Sequence, residues 1–193
     1  MNFGFYSMLF RMKHIKRWGI MHSIIPDYLS THSLEVAFLA HSLALIGNKH
    51  FGKEYDCDNI VIKAMYHDVP EIFTGDIPTP VKYYSEETKV AYAAVEEASL
   101  KKLTEMLPEE FRDTYLALFD YSVEEKIIIK AADRISAYIK CLEENNYGNR
   151  EFVKAGDRLL ETIHGMNCPE AEYFLDNFLE SFGLPIDSII EKE

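Results

Sequence analysis

The sequence predicts an all-α fold. Three observations carry that expectation. Apolar residues recur at helical spacing along most of the chain, alternating strand patterns are scarce, and capping residues punctuate the periodic segments. IIPDY at 24–28 and III at 127–129 come nearest to strands, but they are too short or lie inside helical patterns. In STHSLEVAFLAHSLALIGN, Val36, Ala37, Ala40, Leu43 and Ala44 make one stripe, with Gly47 as the expected stop. Ile60, Val61 and Ala64 make the next, with Asp58 as its expected cap. From Ser85 the chain opens with acids and sets Val90, Ala94, Val95, Ala98 and Leu103 on one side. Pro108 is placed to take the first position of a further helix. Ser122 and Glu125 have the spacing of a capping box ahead of a long periodic segment. Amphipathic segments follow near 149–164 and 169–182. No repeat, linker or composition shift divides the chain, so 1–193 reads as a single domain.

The bulk properties narrow the function classes. A chain of 193 residues, 48% of them hydrophobic, is enough for one well-buried core. A net charge of -12 argues against a nucleic-acid polymer as the main ligand. A small anion stays possible, because a bound cation reverses the local field. Cys57, Cys141 and Cys168 show no metal-type pairing, and their odd number points to a reducing compartment. The first residues are apolar and then basic, the reverse of a signal peptide. No apolar run approaches the ~18 residues that a membrane span requires. These features together predict a cytoplasmic protein without a membrane partner.

The densest chemistry lies in AMYHDVPEIFTGDIPTP at 64–80. On a helix, His67, Asp68 and Glu71 would share one face. Imidazole and carboxylate together suit a divalent transition-metal ion. Taken alone, the pair is as consistent with a solvated helix end. Pro70 stands between Asp68 and Glu71 and is expected to kink the chain, moving Glu71 off the ideal face. His32 sits at a helix start, where a side chain is readily presented to a cleft. Asp133 is flanked by Ile129, Ala132, Ile135 and Ala137, and a carboxylate there is costly unless paired or on a metal. Lys130 or Arg134 could supply the pair. Arg17 offers a planar fork for phosphate, or is a surface cation. Trp18 is a core anchor or a wall beside a sugar. Asp76 follows Gly75 and precedes Pro78, as in a turn. His41 falls about half a turn out of phase with His32. His14, His22, His50 and His164 show no ligand spacing.

The order His32, His67-Asp68, Asp133 resembles the HD-domain metal-dependent phosphohydrolases. RMKHIKRWGIM, THSLEVAFLAHSLA, AMYHDVPEIFTGDIPTPVKYY and KAADRISAYIKCLEE narrow the likeness to the bacterial HD-domain 5'-deoxynucleotidases, from about Arg11 to the last helices. The resemblance implies an HD-type helical bundle. It implies that His32, His67, Asp68 and Asp133 ligate one divalent metal ion, Co2+, Mn2+ or another transition metal. Glu71 would handle the attacking water, and Arg17 would orient the phosphate. Trp18, Asp76, Ile77, Pro78 and Thr79 would shape the substrate pocket, beside His32, Asp68 and Asp133. Thr31 and Gly19 depart from the glutamate and proline that relatives often carry, so a carboxylate behind His32 and a stiff Arg-Trp turn are expected to be missing. The implied reaction converts a deoxynucleoside 5'-monophosphate to deoxynucleoside and phosphate. The alternatives are an HD phosphohydrolase for a triphosphate, cyclic or signalling nucleotide, or a non-catalytic nucleotide-binding protein. A homodimer is also implied. Tyr173, Phe174, Phe178 and Leu179 would serve its interface or the core.

Overall fold

The computed structural model describes residues 3–82 and 84–190. Among these residues helices are the main regular element, joined by 3-10 turns and one isolated bridge between Lys16 and Tyr28. In chain order they are α1 (Phe5–Leu9), α2 (Leu29–His50), α3 (Cys57–Tyr66), α4 (Thr79–Lys82), α5 (Glu86–Thr104), α6 (Glu109–Leu116), α7 (Val123–Asn146), α8 (Val153–His164), α9 (Pro169–Phe178) and α10 (Ile186–Ile190). The all-α expectation therefore holds.

Contacts divide the chain into two units, each made of two segments: Met1–Leu34 with Met65–Tyr121, and Glu35–Ala64 with Ser122–Glu193. The first unit is built on buried Phe5, Met12, Leu29, Val69, Leu103 and Leu107, with Ile15, Tyr66 and Ile72 packed against them. This core fixes the two stretches that carry the candidate chemistry. Leu29 opens α2 one turn before His32, and Val69 directly follows Asp68. Fully burying side chains of this size contributes roughly 1.5–3 kcal/mol each.

In the second unit α7 packs along α8. Gly156 lets them approach, since a Cβ there would lie 3.3 Å from Cys141 Cβ. The predicted capping box is present: Ser122 Oγ accepts from the Glu125 N–H, and the Glu125 carboxylate accepts from the Ser122 N–H.

Several boundaries differ from expectation for identifiable reasons. Gly47 does not stop α2, which runs on to His50; a Cβ at Gly47 would lie 2.4 Å from the Tyr55 ring, so close packing demands the glycine. The stop is Gly52 at φ 64, and the Lys53 N–H closes it onto the Gly47 carbonyl at 3.1 Å. Asp58 lies inside α3, and Asp56 instead accepts from the Asn59 N–H at 3.0 Å. Pro108 is the residue before α6 and not its first.

On α5, Val90, Ala94, Val95 and Ala98 face solvent, while Tyr92, Glu96, Ser99 and Leu103 turn inward. Glu96 meets Lys82 on that side, with Lys82 Nζ 2.5 Å from Glu96 Oε1. α2 is long and apolar enough to cross a membrane by length and composition, which corrects the expectation that nothing approaches that length. Its buried stripe, from His32 and Val36 through Ala40 to Leu43, Ala44 and Gly47, is the pattern of a core helix.

Candidate metal centre

The site begins with a helix that is made to end. Pro70 has no N–H and its ring clashes with the carbonyl of residue 66, so α3 stops at Tyr66. His67 and Asp68 therefore occupy the turn after the helix and not its face. Val69–Ile72 follow as a 3-10 turn, closed by the Glu71 N–H on the Asp68 carbonyl at 3.0 Å. The shared helical face expected for His67, Asp68 and Glu71 is thereby corrected. The tight turn keeps Glu71 beside the pair by another route.

His32 is fully buried in the first turn of α2. His32 Nε2 lies 3.5 Å and His67 Nε2 lies 3.1 Å from the same oxygen, Asp68 Oδ2. The two rings meet edge to face with centroids 5.4 Å apart. All three donor atoms fall within 4.8 Å of one another. A divalent transition metal holds such ligands at about 2.1 Å, which spaces neighbouring donors by about 3.0 Å at a right angle and about 3.4 Å at the tetrahedral angle. The observed spacings fit that geometry, and the donor chemistry suits the ion.

The electrostatics separate the carboxylates. Burial would raise Asp68, but the adjoining His67, with His32 and Arg17, holds it well below the usual carboxylate range. Glu71 is pushed the other way, to about 9, first by burial and then by the charge of Asp68. Lys82 opposes that rise, with its Nζ 3.7 Å from Glu71 Oε1 and 2.5 Å from Glu96 Oε1. Asp76 is raised by burial.

Arg17 and Trp18 belong to a loop folded back on itself. The Arg17 N–H reaches the Asp27 carbonyl at 3.0 Å, and the Leu29 N–H reaches the Ile15 carbonyl at 2.9 Å. This pairing sets the Arg-Trp turn beside the start of α2. Trp18 sits at φ 60, and the Met21 N–H closes the turn on its carbonyl at 2.9 Å, so Gly19 leaves the turn closed. Asp76 accepts the Trp18 backbone N–H at 3.2 Å and so joins the predicted pocket loop to the Arg-Trp turn. Gly75, at φ 72, turns the chain into that loop, and Thr79 opens α4.

The arrangement can be set against known proteins. A family model described as 5'-deoxynucleotidase YfbR-like matches residues 4–182. The chain belongs to that family. It is 49% identical to a 5'-deoxynucleotidase of Vibrio parahaemolyticus over 188 residues, 96% of this chain and 97% of the relative. With the 5'-deoxynucleotidase YfbR of Escherichia coli it shares 44% identity over 96% of this chain and 94% of the relative. Among solved structures, an HD-domain phosphohydrolase of Listeria innocua superposes with a TM-score of 0.80 at 26% identity, over 92% of this chain and 87% of that one. The cyanophage S-2L HD phosphohydrolase, solved with dA and one catalytic Zn2+ ion, has a TM-score of 0.70 at 20% identity, over 91% of this chain and 96% of that one; that likeness shows the fold. This is an HD-type all-α fold, as the sequence pattern implied.

Within this family member the first unit gathers Arg17, Trp18, His32, His67, Asp68, Glu71 and Asp76–Thr79. Asp133 lies half-buried on α7 in the second unit. His41, as expected, does not follow His32 inward; it is exposed beside Phe38 and Asp58. Phe174 is buried while Phe178 is 45% exposed, so the late aromatic stripe is only partly core.

Sequence reasoning missed Asp27, Lys82 and Glu96. Asp27 had a signal: it is the only acid before Glu35, in a stretch with Arg11, Lys13, Lys16 and Arg17. Lys82 and Glu96 are separated by a turn and most of a helix face, and no spacing rule pairs them.

Proposed function

We propose that this chain is a metal-dependent 5'-deoxynucleotidase, hydrolysing a deoxynucleoside 5'-monophosphate to deoxynucleoside and phosphate. The observation that carries the reading is the convergence of His32 and His67 on Asp68 Oδ2, in a chain from a family of 5'-deoxynucleotidases. His32, His67 and Asp68, with Asp133 as the fourth ligand, would hold one divalent cation. When bound, that cation supplies Lewis-acid chemistry: it acidifies water and neutralises charge on phosphorus.

The remaining work falls to the chain itself. Arg17 holds Asp27 through Nη1, and its planar fork orients the phosphate. Glu71 handles the proton of the attacking water, and its high metal-free pKa suits a group that holds and passes a proton near neutrality. Trp18 walls the sugar and crowds a 2'-hydroxyl. Asp76, Ile77, Pro78 and Thr79 line the nucleotide pocket, where Asp76 fixes the Trp18 backbone.

The family match runs through both units, which supports reading residues 1–193 as one HD domain. A cytoplasmic homodimer acting on a free nucleotide, with no polymer or membrane partner, completes the proposal.

Phosphate release from matched deoxyribo- and ribonucleoside 5'-monophosphates, with Co2+ or Mn2+ and after chelation, tests the reading. Metal-dependent release that favours the deoxy substrate is expected. Release unaffected by chelation, or equal in Asp68→Ala, would overturn it.

A further inference from the structure

Asp27 has no part in the ligand set, yet its carboxylate ties together the two side chains assigned to the substrate. Its side chain is only 9% exposed. Oδ2 accepts from Arg17 Nη1 at 2.8 Å and from Trp18 Nε1 at 3.0 Å. The backbone is paired as well, through the Arg17 N–H on the Asp27 carbonyl at 3.0 Å. Trp18 meanwhile stands at φ 60, a left-handed conformation that a bulky residue rarely adopts. Such a conformation persists only where the surroundings over-determine it. Here two carboxylates do so from opposite ends, Asp76 on the backbone N–H at 3.2 Å and Asp27 on the indole N–H.

We propose that Asp27 is a positioning residue for substrate: one buried oxygen fixes the phosphate-orienting guanidinium and the sugar-facing indole in a single arrangement, and so couples phosphate binding to discrimination against a 2'-hydroxyl. This rests on the deoxynucleotidase reading above. The geometry explains why one oxygen matters. Two donors on a shared acceptor cannot move independently, so the Arg17 fork and the Trp18 ring keep a fixed relation, with Arg17 Cζ 6.0 Å from the ring centroid. A bare ion pair would neutralise Arg17 equally well but would not tie it to the indole. Asp27 also anchors the loop that Asp76 holds at the Trp18 backbone.

The chain contains a single tryptophan, so its fluorescence reports on Trp18 directly. Asp27→Ala, Asp27→Asn and Asp27→Glu in the full chain are compared with the parent by emission and acrylamide quenching without substrate. Separate kcat and KM values are measured with 2'-deoxyadenosine and adenosine 5'-monophosphates. In Asp27→Ala, emission should shift to the red and quenching should rise. Its kcat/KM on the deoxy substrate should fall on the order of 10- to 100-fold, and the deoxy-to-ribo ratio should move toward one. Asp27→Asn keeps an acceptor without the charge, so it should hold the indole signal while KM rises. Asp27→Glu should restore more of the ratio than Asp27→Ala.

Unchanged emission and quenching in Asp27→Ala would overturn the proposal, as would a lower rate with an unmoved deoxy-to-ribo ratio. If Asp27→Ala does not fold by circular dichroism, Asp27→Asn decides on the same readouts: an indole signal held with a raised KM supports the role, and an unchanged KM ends it. A parent chain that hydrolyses neither nucleotide would sink the deoxynucleotidase reading, and the fluorescence comparison would still decide whether Asp27 holds Trp18.

Discussion

Two carboxylates sit in charged clusters, and their partners differ in kind. Glu144 on α7 is fully buried, with Lys140 Nζ 2.5 Å from one oxygen and Asn149 Nδ2 2.7 Å from the other. Asn149 also donates its backbone N–H to the Glu144 carbonyl at 2.9 Å, closing the end of the helix. Asp68 meets two imidazoles, His32 and His67, at 3.5 and 3.1 Å. Lys140 and Asn149 both donate to Glu144, so that carboxylate meets its donors within the chain. Imidazole can give up its proton and offer a lone pair, so the Asp68 cluster is suited to accept a cation from outside. The Glu144 cluster is thus suited to hold the fold, and the Asp68 cluster to receive a cation.

That contrast is tested most severely by breaking each cluster, at Asp68 itself in one and at the cation beside Glu144 in the other. Asp68→Ala should lower phosphate release on the order of 10³-fold or more, since a catalytic metal contributes several kcal/mol at the transition state. Helical circular dichroism should stay intact. Lys140→Met should do the reverse, costing about 3–5 kcal/mol of stability by leaving Glu144 buried without its cation, with little change in kcat. Thermal melts and phosphate release on both variants check the pair. Equal activity losses in the two would erase the distinction.

Metal addition sharpens the comparison next. At about 100-fold excess over Kd, a bound ion should stabilise the chelated parent by about 2.7 kcal/mol. The same addition should leave the melt of Asp68→Ala unmoved.

Glu71 supplies a pH test in the metal-free state. Its pKa rises from 4.5 unfolded to about 9 folded. The folded state therefore keeps a proton that the unfolded state releases across this window. The stability tied to it is complete below pH 4.5 and is lost as pH rises through about 9. Between about pH 5 and pH 8 the parent should lose up to about 1.4 kcal/mol per pH unit relative to Glu71→Gln. Parallel denaturation curves across this range would remove the raised pKa. The smallest effect is expected at His41→Ala, within about 0.5 kcal/mol and with unchanged turnover, because that histidine is exposed.

Much of the fold was legible in the sequence. The α2 stripe and the Ser122–Glu125 box depend on neighbours within a turn, and local spacing reports such neighbours well. The misread glycine and helix face share another cause. Gly47 answers to Tyr55, and the inward face of α5 packs Leu103 against Phe5, Leu29 and Leu107, partners that no local period encodes. The end of α3 was half-legible. Pro70 was seen as a kink between Asp68 and Glu71, but its clash acts four residues back, at Tyr66.

The sequence by itself determined the helical class, the order His32, His67-Asp68, Asp133 and the residue types from which a metal site can be made. These are properties of composition and spacing, which survive without coordinates. Only the tertiary structure decided that His32 and His67 aim at one oxygen of Asp68, that Lys82 stands beside Glu71, and that Asp27 grips both Arg17 and Trp18. The reason is physical. Ligation and hydrogen bonding are fixed by tenths of an ångström between groups far apart along the chain, and those distances exist only once Phe5, Leu29, Val69 and Leu103 have packed into one core.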